Sequence, residues 1–262
     1  MPASRKLLMV IPISTDQFNE TAKSYVAPVL ASGFTLDVVN IPKGFPAIQS
    51  RFSLEHNAQH VVDLVCELGP KYNGVFVSDF DGCGVESCRE ILSVPVVDAF
   101  APQASIAMSL AQTFSIITPS DTLIGLDISH PRALGLTESL ASVRPMDISV
   151  NDLGKHDEVI DRAYDASVKA ITQDGAQAIL LGCSAMMNVA KPLSARLAAD
   201  RYPAIVIDPN LAAVAFLQML VRCGLSQSPI CYPTPPELLA AAQKNGQVKP
   251  MVRSRAGGVV GA

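Results

Sequence analysis

Short apolar runs alternate along the chain with longer stretches in which apolar residues recur at helical spacing. The short runs are rich in Val, Ile and Leu and predict buried β-strands. Strands that alternate with helices build parallel sheets covered by helices on both faces. The predicted strands are residues 6–11, 35–40, 74–78, 94–98, 115–118, 142–146, 178–181 and 205–208.

The stretches between these strands predict amphipathic helices. One of them, residues 53–68, places Leu54, Ala58, Val61 and Val65 at roughly helical spacing. A helix with that pattern would cover one face of a sheet. Helices are predicted at residues 18–31, 53–68, 103–112, 157–173 and 210–223.

Two of the predicted strand ends resemble each other. Residues 74–79 and 178–183 each run from apolar to small to a reactive side chain, which is Asp79 in one and Cys183 in the other. Each segment is followed by a predicted helix and then by a strand that contains Pro and ends in Asp. The similarity indicates an internal duplication, but βαβ units also resemble one another without common origin.

The length of 262 residues fits two compact units better than one small domain. We predict an α/β fold with two pseudo-symmetric Rossmann-like halves, each a mostly parallel sheet flanked by helices. The active site is expected in the cleft between them. Residues 1–100 plus about 207–262 would form the first half, and about 101–206 the second.

Composition and charge indicate which classes of partner the chain can have. Apolar residues make up 49% of the chain, charged residues 17%, and the net charge of −4 includes no long run of one sign. This balance is typical of a globular enzyme or binding protein and disfavours nucleic acid as a partner. The N-terminal apolar run is too short for a signal peptide or a membrane span. We therefore expect a small-molecule substrate and no membrane.

The six cysteines predict free thiols. They form no C-x-x-C pair, and a chain of this size needs no disulfides to fold. A reducing, cytoplasmic compartment is the expected location. The cysteines are Cys66, Cys83, Cys88, Cys183, Cys223 and Cys231.

Reactive residues that directly follow a strand are the first candidates for a site. In open α/β sheets, ligands bind beyond the carboxyl ends of the strands, and the residues that this rule selects are Ser14, Thr15, Asp79, Thr118 and Cys183. Cys183 follows Gly182, and a helix beginning right after it would favour the thiolate. The alternative is an inert buried cysteine, the usual fate of a free thiol.

Other motifs give no support for a metal or a cofactor. The acids of residues 78–86 fit no 12-residue calcium loop, and a plain turn with a helix-capping aspartate is the alternative without a function. His56 and His60 lie one turn apart without the acid of a zinc motif, which favours a solvated helix face. The sequence contains no nucleophile elbow, G-x-G-x-x-G motif or Walker loop. We expect no cofactor and no metal.

Taken together, these segments resemble the aspartate/glutamate racemase superfamily, and within it most closely the hydantoin racemase branch. The similarity covers nearly the whole chain. The residues that carry it are 8–15, 79–90 with 94–97, 114–118, 181–186 and 224–228.

The resemblance implies a catalytic pair with one member from each half. Members of the family remove a proton next to a carbonyl with one cysteine and return one to the opposite face with a second, without a cofactor. Cys183 matches the second cysteine. The position of the first is held by Asp79, directly before Phe80. Cys83 lies four residues later, where the branch usually has Pro, and it could replace the first cysteine only if the loop is rearranged.

The substrate-binding loop also departs from the branch. Its N-P-N-T pattern reads Ile11-Pro12-Ile13-Ser14 here and lacks side chains that help to hold the polar head of the substrate. Pro12, Ile13 and Ser14 occupy the matching positions. The resemblance therefore does not extend to the identity of the substrate.

The expected activity is that of a cofactor-independent racemase or epimerase acting on a carbon next to a carbonyl or imide. Asp79 and Cys183 would lie on opposite faces of that carbon. Main-chain amides near Phe80 and Ser184 and the hydroxyls of Ser14 and Thr118 would stabilise the enolate-like charge. An ionised Asp79 would repel a carboxylate at 4 Å by about 1 to 4 kcal/mol, which favours a neutral substrate.

Other interpretations stay open. A decarboxylase or other lyase could use Cys183 alone, since relatives with one cysteine include decarboxylases. A double-bond isomerase is a further enzyme candidate. A ligand-binding protein that lost the first thiol is a third. A homo-oligomer is also possible, because the family commonly forms them.

Overall fold

Residues 4–238 are described by a computed structural model of the chain, and they form eight strands with helices between them. The strands are β1 (Arg5–Ile11), β2 (Phe34–Asn40), β3 (Gly74–Val77), β4 (Val96–Val97), β5 (Phe114–Thr118), β6 (Leu140–Pro145), β7 (Ala178–Leu181) and β8 (Ile205–Ile207). The α-helices are α1 (Asn19–Val26), α2 (Arg51–Leu68), α3 (Val85–Ile91), α4 (Phe100–Leu110), α5 (Ile124–Ala133), α6 (His156–Asp174), α7 (Ala190–Ala199) and α8 (Pro209–Cys223).

The strands form two four-stranded sheets of the same design. One sheet has the order β2-β1-β3-β4 and the other β6-β5-β7-β8, and every paired strand runs parallel to its neighbour. The central strands β1, β3, β5 and β7 are almost completely buried because helices cover both faces. The predicted fold, two similar α/β halves with parallel sheets, is confirmed.

Each sheet is followed by a helix that crosses to the other half. The helix α4 follows β4 of the first sheet but packs against Phe114, Ile116 and Leu180 of the second. The helix α8 follows β8 of the second sheet but packs against Leu7 and Phe76 of the first. The two halves are therefore held together by an exchange of helices.

The aspartates that end β4 and β8 start these crossing helices. The Asp98 carboxylate accepts a hydrogen bond from the Ala101 N–H at 2.7 Å, and the Asp208 carboxylate accepts one from the Leu211 N–H at 2.9 Å. A carboxylate at this position satisfies a free amide of the first turn and stabilises a helix by about 1 kcal/mol. In both halves, the aspartate after the strand thus binds a main-chain amide in the first turn of the crossing helix.

Several helix bounds differ from the prediction. Helix α1 ends at Val26, two residues before Pro28, and α4 begins at Phe100, with Pro102 tolerated in its first turn. The helices α5 and α7 were not delimited from the sequence. Among residues 4–238, no helix combines the length and the apolarity needed to cross a membrane. The division into residues 1–100 plus about 207–262 and about 101–206 stays a prediction.

Candidate active site

A cavity of about 510 Å³ opens where the carboxyl ends of the two sheets meet. Its walls come from the segments after β1, β3 and β7, from the first turn of α8, and from two loops, residues 46–48 and 150–156. Five residues singled out in the sequence line it: Pro12, Ile13, Asp79, Cys183 and Ser184. The structure therefore brings Asp79 and Cys183 into one cleft.

Asp79 is held at the end of β3 by the main chain around it. The Asp79 N–H donates to Val77 O at 2.8 Å, Asp79 O accepts from the Ala99 N–H at 3.0 Å, and one carboxylate oxygen accepts from the Cys83 N–H at 3.0 Å. Burial raises the pKa of this carboxyl to about 7, and the negative charge of Asp81 adds to the effect. A carboxyl with that pKa can both take and give a proton near neutral pH.

Cys183 lies in a turn after β7, and the residue before it, Gly182, has no room for a side chain. A Cβ on Gly182 would lie 2.9 Å from Ile116 Cγ2 and 3.0 Å from Ile117 O, so the segment can approach β5 only without a side chain there. The Gly182 N–H donates to Ile117 O at 2.8 Å, which fixes this approach. The thiol of Cys183 is thereby held at the cavity wall.

The expectation of a helix directly after Cys183 was wrong. The next helix, α7, begins at Ala190, so no helix N-terminus lies at the thiol. Burial raises the pKa of Cys183 to about 12, and the negative charges of Asp79, Asp81 and Asp127 add to it. The thiol, and not the thiolate, is the resting form near neutral pH.

A second group of acids, which was not predicted from the sequence, lies behind Asp79. Asp81 and Asp127 are buried, and Asp127 lies next to the Thr118 hydroxyl. Burial and the charge of Asp81 raise the pKa of Asp127 to about 8. His130 Nε2 lies 3.3 Å from Asp81 Oδ1; burial works against the charged imidazole, but the acids around it raise its pKa above the ordinary value.

Only the structure could reveal this acid group. Asp127 and His130 are three residues apart on α5, a helix with Pro131 near its end and no clear apolar periodicity, so no local pattern places them beside β3. Within residues 4–238, no group of three or more His, Cys, Asp or Glu side chains is arranged to hold a metal ion.

A closed network of polar side chains joins the two strand ends, and two of its members, Ser78 and Asn210, were not predicted. The Ser78 hydroxyl donates to Asn210 Oδ1 at 3.0 Å, and Asn210 Nδ2 donates to Ser184 O at 2.7 Å. The Ser184 hydroxyl in turn donates to Ser78 O at 2.8 Å. Asn210 is the third residue after β8 and lies in the first turn of α8, so a rule that selects residues directly after a strand passes over it.

Three residues expected to contact substrate do not line the cavity. The Ser14 hydroxyl donates to Gly44 O at 2.8 Å, and Phe80 is buried, with its ring edge against Phe100. Thr118 is fully buried beside Asp127. The contacts that the structure shows for these side chains are packing and loop contacts, so their part in substrate binding stays a prediction.

The remaining cavity walls are largely apolar and carry no fixed positive charge. Among the described residues, no Lys or Arg lines the cavity. The ionisable side chains that line it are Asp79, Cys183 and His156. The apolar wall consists of Met9, Ile11, Ile13, Phe18, Ile48, Val150, Leu153 and Met187 with smaller residues. A site of this kind offers no counter-charge to a carboxylate substrate.

Comparison with known proteins agrees with this architecture. The family model described as Asp/Glu/Hydantoin racemase matches residues 7–217. A hydantoin racemase of Paenarthrobacter aurescens is 25% identical over 226 residues, which is 85% of this chain and 94% of that protein.

Two solved structures share the whole fold. An allantoin racemase from Pseudomonas fluorescens superposes with a TM-score of 0.82 at 28% identity, over 88% of this chain and 97% of that one. An allantoin racemase from Klebsiella pneumoniae gives a TM-score of 0.82 at 23% identity, over 89% of this chain and 94% of that one.

Proposed function

This chain belongs to the Asp/Glu/hydantoin racemase family, and from that premise we propose that it racemises a neutral, 5-substituted hydantoin with Asp79 and Cys183 as its two acid–base groups. The observation that carries the proposal is that both residues line one cavity between the two halves. Membership in the family makes the chain an isomerase of the racemase type. Its substrate and its catalytic residues are the part that we propose.

The reaction begins with Asp79 as a carboxylate and Cys183 as a thiol. Asp79 takes the proton from the substrate carbon, and the electron pair of the broken C–H bond moves onto the neighbouring carbonyl oxygen. The pair then returns to the carbon as it forms a bond to the proton of the Cys183 thiol on the opposite face. Asp79 ends as a neutral acid and Cys183 as a thiolate, and exchange with solvent restores the starting state.

The pKa values support this division of roles in the resting enzyme. The pKa of Asp79 is about 7 and that of Cys183 about 12, so a single proton shared by the pair resides on the thiol. Positioned proton transfer accounts for about 10²- to 10⁴-fold of a rate enhancement. Stabilisation of the enolate-like oxygen supplies a further part, for which the main-chain amides near Phe80 and Ser184 are our candidates.

The substrate class follows from the charge and polarity of the walls. Among the described residues, one acid, Asp79, and no Lys or Arg line the cavity, which favours an uncharged ring over a free amino acid. One relative by sequence is named hydantoin racemase, and one by structure is named allantoin racemase; both names denote neutral ureide rings. The apolar wall formed by Ile13, Phe18, Ile48, Val150 and Leu153 favours an apolar group on the ring carbon.

The test is to incubate single enantiomers of 5-benzylhydantoin and of allantoin with the protein in D₂O. We expect loss of optical rotation faster than in buffer alone, with one deuterium in each inverted molecule and the higher kcat/KM for 5-benzylhydantoin. Release of CO₂ or of a fragment would instead indicate a lyase. A thermal shift without deuterium uptake would indicate a binding protein, and either result would overturn the proposal.

The compartment and the oligomeric state belong to the proposal as well. All six cysteines are free thiols, which supports a reducing, cytoplasmic location. A homo-oligomer stays a prediction, and sedimentation of the purified chain is the measurement that checks it.

A further inference from the structure

A two-base racemase depends on the distance between its bases, and here the bases belong to different halves. Asp79 follows β3 of the first sheet, and Cys183 follows β7 of the second. An error of about 1 Å in the position of a reacting group can cost about 10²-fold in rate. The chain therefore needs a contact that ties the two strand ends together.

We propose that Asn210 is the positioning residue that, through Ser78 and Ser184, fixes the separation of Asp79 and Cys183 across the cleft. This inference rests on the proposed function. Its basis is the closed network of three hydrogen bonds, 2.7 to 3.0 Å long, among the side chains and carbonyls of these residues. Ser78 directly precedes Asp79, and Ser184 directly follows Cys183.

The side-chain amide of Asn210 makes one hydrogen bond to each half of the molecule. Its oxygen accepts from the Ser78 hydroxyl of the first half, and its nitrogen donates to the Ser184 carbonyl of the second. Only a side chain with a donor and an acceptor side by side can make both bonds at once. Asn210 is 1% exposed, so water cannot take the place of either hydrogen bond, and the loss of one would leave a buried polar group without a partner.

Asn210 is itself held rigidly. It lies in the first turn of α8, which is capped by Asp208 and begins with Pro209. The other oxygen of Asp208 accepts a hydrogen bond from the Tyr25 hydroxyl at 2.5 Å, which ties the start of α8 to α1. Because α8 leaves the second sheet and packs on the first, its first turn marks the crossing point between the halves.

The first test compares Asn210→Ala with Gln218→Ala. Gln218 is a matched control, because it is a buried amide on the same helix that bonds Ala31 N and Val29 O, away from the cavity. We expect Asn210→Ala to slow inversion in D₂O by about 100-fold. It should also raise the ratio of deuterium uptake with retention to uptake with inversion, because one base still reaches the carbon. Gln218→Ala should change stability but leave that ratio at the wild-type value.

Asn210→Asp and Ser78→Ala complete the set in case Asn210→Ala folds poorly. Asn210→Asp keeps the acceptor for Ser78 but loses the donor to Ser184 O, and we expect the ratio to shift as in Asn210→Ala. Adding Asn210→Ala to Ser78→Ala should cost less than the two single changes together, because both act through one network. Additive effects, or an unchanged ratio in all variants that fold, would overturn the proposal.

A second readout needs no substrate and separates this proposal from the proposed function. The rate of Cys183 alkylation by iodoacetamide, followed by peptide mass spectrometry, should rise several-fold in Asn210→Ala and stay unchanged in Gln218→Ala. If the wild-type chain fails to racemise hydantoins but this difference is found, the proposed function falls and the positioning role stands. Equal alkylation rates in wild type and Asn210→Ala would contradict the positioning role whatever the reaction is.

Discussion

Asp79 is the residue on which the proposed chemistry depends, and its surroundings make it an unusual carboxyl. It is buried beside a second acid, Asp81, and close to a third, Asp127, while His130 is the base that faces this group of acids. Burial and like charges favour the neutral form of a carboxyl. The protein thus has, after β3, an aspartate whose pKa is raised to about 7.

The pKa of Asp79 predicts how activity depends on pH. Because Asp79 must be ionised to take the proton, kcat/KM should rise as the pH passes about 7 and reach a plateau below the pKa of Cys183, about 12. The two enantiomers should give the same profile, since a racemisation has an equilibrium constant of one. A kcat/KM that falls between pH 6 and 8, measured by polarimetry, would contradict the role of Asp79 as the base.

Replacing Asp79 should cost far more activity than replacing Cys83. We expect Asp79→Asn to lower kcat by about 10²- to 10⁴-fold. Cys83→Ser should stay within about tenfold of wild type, because the Cys83 thiol is buried and donates to Leu54 O, while the bond to the Asp79 carboxylate comes from the main-chain N–H, which serine keeps. Equal tolerance of the two changes would refute the role of Asp79. A greater loss in Cys83→Ser would transfer the role to Cys83.

The same substitution should stabilise the fold at alkaline pH. The pKa of Asp79 is 3.8 in an unfolded chain and about 7 in the folded one, so the unfolded chain ionises first and the free energy of unfolding falls as the pH rises from about 4 to about 7. Asp79→Asn removes this loss and should raise the midpoint of urea unfolding at pH 8 more than at pH 4. An equal effect at both pH values would show that the charge of Asp79 does not destabilise the fold.

At the scale of elements, the strands were predictable from the sequence and several helices were not. Parallel strands buried on both faces read as continuous apolar runs, and all eight predicted runs are strands. The helix α5 contains Gly125 and Pro131, which hide its periodicity, and α7 begins later than expected after Cys183. The acid group behind Asp79 was missed for this reason, since α5 supplies Asp127 and His130.

The turn between β7 and Cys183 gives a test at this scale. Gly182→Ala would place a methyl group 2.9 Å from Ile116 Cγ2 and 3.0 Å from Ile117 O, so the turn has to shift. Overpacking of this kind costs about 1 to 3 kcal/mol, and we expect kcat to fall by more than about tenfold. Gly125→Ala is the control, because a methyl group there meets nothing within 4 Å. Wild-type kcat in Gly182→Ala would show that the turn does not position the thiol.

At the scale of the whole molecule, the site lies between two similar halves that exchange helices. The likeness of the two halves was visible in the sequence as two strand ends of the same pattern, one with Asp79 and one with Cys183. The role of Asn210 was not, because it depends on α8 crossing from the second sheet to the first. Local patterns predicted the two halves, whereas the contacts between the halves depend on long-range packing.

The two-base mechanism is tested most directly by deuterium uptake from D₂O into each enantiomer of 5-benzylhydantoin by the variants Asp79→Asn and Cys183→Ala. In a two-base site, each variant keeps one base and therefore exchanges the proton of one enantiomer only, without inverting it. We predict that the two variants act on opposite enantiomers, while the wild-type enzyme inverts both. Exchange of the same enantiomer by both variants, or inversion by either of them at the wild-type rate, would contradict the mechanism.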